Sequence, residues 1–81
     1  MAEHPNETLG ERIKNLRENK LVTDARNLPH KMTQQELADQ CGCCKDTISR
    51  IECGIHEPQF SLVIKIARAL YVSIDYLAEC V

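Results

Sequence analysis

The chain has 81 residues, 43% of them hydrophobic and 27% charged, which leaves room for one small core, excludes a second domain, and is too apolar for a disordered chain. A formal net charge of −2 excludes a protein that coats nucleic acid through bulk basic charge. No apolar run approaches the roughly 20 residues that span a bilayer, and residues Met1 to Glu7 lack the basic and apolar regions of a signal peptide, so a cytoplasmic protein is expected.

The charge is unevenly spread. Between Arg12 and Arg50 there are eight basic residues against five acidic ones, while Glu3, Glu7 and Glu11 and then Glu57, Asp75 and Glu79 weight the two ends with acid. Cysteine is frequent and odd in number, at Cys41, Cys43, Cys44, Cys53 and Cys80. Three of the five crowd into four positions, where neighbours pair only with strain, so a disulfide framework is not expected.

Residues 1–7 read as a flexible arm and residues 8–81 as one domain. Thr8-Leu9-Gly10-Glu11 is a capping box, and Leu9, Ile13 and Leu16 recur at helical spacing, which predicts a first helix from Leu9 to about Asn19. Residues 20–32 hold Asn27 and Pro29 and show no period, so they read as an extended connection. Thr33-Gln34-Gln35-Glu36 repeats the capping box and opens a second helix, Gln34 to Gln40, that buries Leu37, Ala38 and Cys41 before Gly42 stops it. A third helix, from Lys45 to Glu52 or Cys53, turns Ile48 and Ile51 inward and Lys45, Asp46, Thr47, Ser49 and Arg50 outward, and ends at Gly54. After Pro58 a fourth helix, Phe60 to Leu70, is expected to bury Phe60, Val63, Ile64, Ala67 and Leu70, and Ser73 caps a short fifth from Ile74 to Glu79 that buries Ile74 and Leu77. No strand signal is visible, and the predicted fold class is all-α with five helices.

Two short helices around a tight glycine-containing turn form a helix-turn-helix, whose second helix can lie in a major groove about 12 Å wide. That geometry singles out Lys45 and Arg50 as donors to guanine, Asp46 as an acceptor from cytosine, and Ser49 or Thr47 for a base or a phosphate. On periodicity alone the same pattern also fits a solvated helix pair in a bundle.

From Leu9 to Glu79 the chain resembles the lambda-repressor and Cro class of regulators, the Xre family. The resemblance is carried by Arg12-Ile13-Lys14 and Leu16-Arg17, by Met32 to Ala38, by Gly42, by Thr47-Ile48-Ser49-Arg50-Ile51-Glu52 with Gly54, by Pro58, and by Ile64 to Leu70 followed by Val72 to Leu77. It implies a five-helix lambda-repressor-like domain in which Lys45, Asp46, Ser49 and Arg50 contact bases. Gln34, with Gln35 beside it, is implied to hold a phosphate, Thr47 and the backbone near Gly54 to touch the sugar-phosphate chain, and Arg17 to pair with Glu52. The implied function is sequence-specific binding of double-stranded DNA by a transcriptional repressor of prophage, controller or antitoxin type, acting as a homodimer on a partly palindromic operator. The sequence has no nucleophile-base-orienter set, Gly-rich phosphate loop or metal-ligand spacing, so no enzymatic activity, cofactor, metal or small-molecule ligand is expected.

Three departures mark this chain. The connection between the first two helices is roughly ten residues longer than is usual in the family, and its Arg26, His30 and Lys31 can face flanking phosphates or a partner subunit. Cys41 and Cys43 stand at core positions, where thiols act as small hydrophobes, and Cys44 stands at a helix cap, where a thiolate is stabilised, making it a candidate thiol sensor. A metal site from Cys41, Cys43, Cys44 and Cys53 would need a tetrahedral cluster, with two of these side chains turned into the core. The arm is acidic, unlike arms that enter the minor groove. The rival reading is a protein-interaction module that has lost DNA binding, and the last two helices, around Tyr71, Ile74 and Leu77, are the expected dimer surface.

Overall fold

Each of the first two helices begins with a reciprocal pair of hydrogen bonds written into the sequence. In the computed structural model, which describes residues 8–23 and 25–78, the Thr8 hydroxyl accepts from the Glu11 amide at 3.1 Å and the Glu11 carboxylate from the Thr8 amide at 3.0 Å. Thr33 and Glu36 repeat the exchange at 3.1 and 2.8 Å, so amides that a helix start leaves unpaired are satisfied locally. The element order is α1 (Leu9–Glu18), β1 (Leu21–Thr23), β2 (Pro29–Lys31), α2 (Gln34–Cys41), α3 (Lys45–Glu52), α4 (Phe60–Leu70) and α5 (Ile74–Ala78). The arm of residues 1–7, Glu79 at the expected end of α5, and Cys80 lie outside the described residues.

The architecture is the expected helical one, with one local correction. The stretch read as an irregular connection contains an antiparallel hairpin, pairing Leu21 with Lys31, Val22 with His30 and Thr23 with Pro29. Each strand is three residues long and turns one side chain to the body, so a two-residue period never completes a recognisable cycle. Asn27 takes the left-handed conformation at φ 63° that reverses the chain, which Asn tolerates better than most residues.

Stops are equally local. Gly42, at φ 73°, lets the Cys43 amide reach back to the Ala38 carbonyl at 3.0 Å. At the end of α4 a non-glycine residue, Tyr71, holds φ 58° while the Val72 amide closes onto the Ala67 carbonyl at 3.0 Å. That backbone costs on the order of 1 kcal/mol, and the Lys20 ammonium 4.0 Å from the Tyr71 ring centroid helps hold it.

The core gathers Ile13 from α1, Leu37 from α2, Ile48 from α3, Ile66 from α4 and Leu77 from α5, all fully buried. Two expectations change here. Phe60 is 70% exposed, and Val63 and Ile64 are only half-buried, because the fully buried stripe of α4 runs through Ile66, Ala67, Ala69 and Leu70. Leu77 is inside the core and is unavailable as a dimer surface. None of the helices among the described residues is long and apolar enough to cross a membrane.

Gly10 is where α1 meets the end of α3. A β-carbon there would collide with the Ile51 carbonyl oxygen and stand 3.0 Å from that of Glu52. Gly10→Ala should therefore destabilise the domain by about 1–3 kcal/mol through overpacking, although alanine is the better helix former by about 1 kcal/mol. Thermal unfolding checks this, and an unchanged or raised Tm would remove the close approach.

Candidate nucleic-acid interface

The exposed face of α3 is laid out by what its inward stripe buries. Ile48, Ile51 and Glu52 point into the protein, Thr47 and Ser49 are half-buried at the margin, and Lys45, Asp46 and Arg50 stand in solvent. Arg50 and Asp46, one turn apart, pair through Nη2 and Oδ2 at 3.0 Å with both side chains more than 60% exposed. Such an exposed pair contributes little to stability, so a competing ligand can separate it at small cost. Gly54 follows at φ 81° with its backbone open to solvent.

Beneath this face lies a polar cluster. The Arg17 guanidinium donates from Nε to Glu52 Oε2 at 2.7 Å and from Nη2 to Oε1 at 3.0 Å, and from Nη1 to the Met32 carbonyl at 2.8 Å. The Glu52 side chain is only 2% exposed. Gln34 adds a bond from Nε2 to Glu52 Oε1 at 2.9 Å. The side chain that opens α2 is thus tied to the one that closes α3, and both to α1. Gln34 is half-buried, with its amide group facing Glu52, while Gln35 is exposed and bonds Asp39 at 2.8 Å. The capping box uses the Thr33 and Glu36 amides, so the amides of Gln34 and Gln35 remain open to a ligand at the start of α2.

The thiols separate by environment. Cys44 is the N-cap of α3 and makes no side-chain bond to the helix backbone; its sulfur lies 3.2 Å from the Thr47 hydroxyl and is exposed. The Thr47 hydroxyl beside it holds this thiol below the ordinary cysteine value. Burial pushes Cys43 up and Cys41 up to about 11. Among the described residues no three His, Cys, Asp or Glu side chains converge as a metal would require, and Cys41, Cys43, Cys44 and Cys53 do not come together as such a set.

These features can be set beside known proteins. The sequence profile described as helix-turn-helix matches residues 22–77. The chain belongs to the helix-turn-helix family. Within it, this domain is 39% identical over 49 residues to the uncharacterized HTH-type transcriptional regulator YqaE of Bacillus subtilis, covering 60% of this chain and 42% of that protein. It is also 39% identical over 46 residues to an uncharacterized HTH-type transcriptional regulator of Methanocaldococcus jannaschii, covering 57% and 70%. The chain thus spans less than half the length of the Bacillus relative. Among solved structures, the P22 c2 repressor bound to a synthetic operator superposes with a TM-score of 0.71 at 28% identity, covering 86% of this chain and 91% of that one. Bacillus thuringiensis PlcR, solved with a peptide and DNA, gives 0.71 at 29%, covering 93% and 23%.

Reasoning from sequence did not find the hairpin, the Gly10 contact, the Gln34–Glu52 bond, or the clamp of Arg12 on α5, where Nη1 donates to the Tyr76 carbonyl at 2.7 Å and the guanidinium stacks 4.4 Å from the ring. The last three join residues far apart in the chain, and the hairpin's three-residue strands are too short to show a period.

Two measurements follow. Arg17→Ala strands a buried carboxylate and should cost about 3–5 kcal/mol, whereas replacing Arg17 and Glu52 together by methionine should recover most of that; equal losses in both would show the charge pair to be incidental. In the folded protein, alkylation should modify Cys44 before Cys43 and Cys41 last, with the Cys44 rate reaching half its maximum at a lower pH than that of an ordinary thiol. Indistinguishable rates for Cys44 and Cys43 would contradict the lowered Cys44 pKa.

Proposed function

We propose that this protein is a cytoplasmic, sequence-specific DNA-binding regulator of transcription, of repressor type, acting as a homodimer on a partly palindromic operator. The observation that carries the reading is the solvent-facing side of α3, where Lys45, Asp46 and Arg50 stand exposed and Ser49 sits at the margin on a helix whose far end is locked by the Arg17–Glu52 pair. In a major groove these side chains read base edges: Lys45 and Arg50 donate to guanine O6 and N7, Asp46 accepts from cytosine N4, and Ser49 serves either. Gln34, Gln35, Thr47 and the backbone at Gly54 hold phosphates and set the register. The exposed Asp46–Arg50 pair opens on binding. The resemblance of this chain, over 86% of its length, to the operator-bound P22 c2 repressor supports the binding of double-stranded DNA.

One recognition helix offers three or four base-reading side chains, which is why two copies on a two-fold site are invoked. A covalent adduct at Cys44, at the N-terminus of α3, would place bulk against the DNA, so the thiol is a point at which binding can be blocked. The rival reading is a protein-interaction module, and the exposure of Ile55 (77%) and Phe60 (70%) favours it.

Selection of bound genomic fragments under reducing conditions, with wild type and a Lys45→Ala/Arg50→Ala double variant, tests the proposal. Enrichment of a short palindrome by wild type alone is expected, because each bidentate base contact is worth about 1–3 kcal/mol. Enrichment of no sequence by either protein would leave the interaction module as the function.

A further inference from the structure

The hairpin lies outside the two helices α2 and α3, and several contacts brace it. Its base is closed by the Met32 amide donating to the Lys20 carbonyl at 3.0 Å, and Val22 packs on the core. His30 Nε2 lies 2.8 Å from a carboxylate oxygen of Glu36 in the first turn of α2, and Arg17 holds the Met32 carbonyl. These contacts fix the base of the hairpin and its second strand against α1 and α2.

Its side-chain directions follow from the extended backbone that leads into α2. Met32 is 1% exposed and points inward. Alternation therefore sends its neighbours Lys31 and Thr33 outward, and Thr33, extended at φ −87° and ψ 165°, caps α2. Lys31 is exposed, and its Cα is about 7 Å from that of Thr33 at roughly 3.3 Å per residue. Lys31 is thus an exposed cation two residues before the N-cap of α2, the helix whose first turn opens with the Gln34 and Gln35 amides. Arg26 is exposed at the tip. Between residues 20 and 31 the sequence has three basic residues against Asp24 alone, in a chain whose net charge is −2.

We propose that the hairpin is a second DNA-contacting element, which holds backbone phosphates flanking the base-reading site through Lys31 and Arg26; this rests on the DNA-binding reading above. Lysine and arginine at phosphates add affinity and fix register without reading sequence, so the hairpin lengthens the footprint and leaves the preferred operator unchanged.

The test compares wild type, Lys31→Ala/Arg26→Ala, and Lys65→Ala/Arg68→Ala, which makes the same charge change on α4. The probes are a duplex carrying the fragment selected by wild type and a scrambled duplex of equal length, titrated between about 50 and 200 mM salt. Loss of two phosphate contacts in each protomer should flatten the slope of log K against log salt by about 1.8 per protomer, about 3.6 for the bound dimer, in the hairpin variant on both duplexes. Its hydroxyl-radical footprint should retract at the outer flanks, and its Tm and selected sequence should not change. The α4 variant should keep the wild-type slope. A hairpin variant with the wild-type slope and footprint, or an α4 variant that flattens the slope equally, would overturn the proposal while leaving the regulator reading intact. Wild-type protein with no salt-dependent affinity for either duplex would remove the DNA-binding reading itself, and this one with it.

Discussion

Glu52 closes α3 with its carboxylate almost wholly inside the protein, and the groups that make this tolerable come from other elements. Arg17 reaches it from α1 with a two-pronged fork, Gln34 from the start of α2, and the third direction of the guanidinium is taken by the Met32 carbonyl where the hairpin runs into α2. A buried charge left without partners costs several kcal/mol, so α1, the hairpin exit, α2 and α3 can come together in few arrangements. The eight residues of α3 make a rod of about 12 Å, resting on the body through Ile48 and Ile51. Apolar contact of that kind is non-directional and fixes depth better than rotation. The planar fork of an arginine has direction, and it sets the roll of α3. Which way Lys45, Asp46 and Arg50 face is therefore decided at the opposite end of the helix. Gly10 belongs to the same arrangement, because only a residue without a β-carbon lets α1 come so close to the last carbonyls of α3.

The N-terminal end of α3 is held differently. Ser or Thr at a helix cap would accept from the backbone, and Cys44 makes no such bond, forgoing a stabilisation of about 1 kcal/mol. Its sulfur meets the Thr47 hydroxyl instead. The helix is thus anchored firmly at its buried C-terminal end and more loosely at the end that carries Lys45 and Asp46. That polarity suits a surface that must adjust side chains to a partner while keeping the helix axis fixed.

Local chemistry was legible in the sequence, and distant contact was not. Both capping boxes, the Gly42 stop and the inward positions Leu37, Ile48 and Ile51 could be read because each depends on residues within one or two turns of one another. The hairpin escaped because three-residue strands with a single inward side chain carry no period. Phe60 was misplaced because helical spacing gives a stripe's direction but cannot say where along it the body of the protein ends. Gly10 looked like an ordinary member of a capping box, and what makes it special lies more than forty residues away. The Arg17–Glu52 pair entered only through family resemblance, since no spacing rule joins two residues that are 35 positions apart. The exposed face of α3 was legible as a polar face, but its being held in place rests on groups that sequence periodicity does not reveal.

The charge of the chain bears on how such a surface can work. With a net charge of −2, bulk attraction to a polyanion is weak, and non-specific affinity, which follows the number of phosphates neutralised, must be correspondingly small. Affinity then has to come from a few well-placed groups. That requirement favours a rigid frame over a highly charged one: a base-reading side chain is useful only when its helix is fixed to within about 0.5 Å, and a buried polar cluster supplies such fixity in a domain whose core is close to the smallest that folds alone. The acid at the two ends of the chain leaves a basic excess in the middle, carried by α1 and the hairpin, with Lys45 and Arg50 on the exposed face of α3.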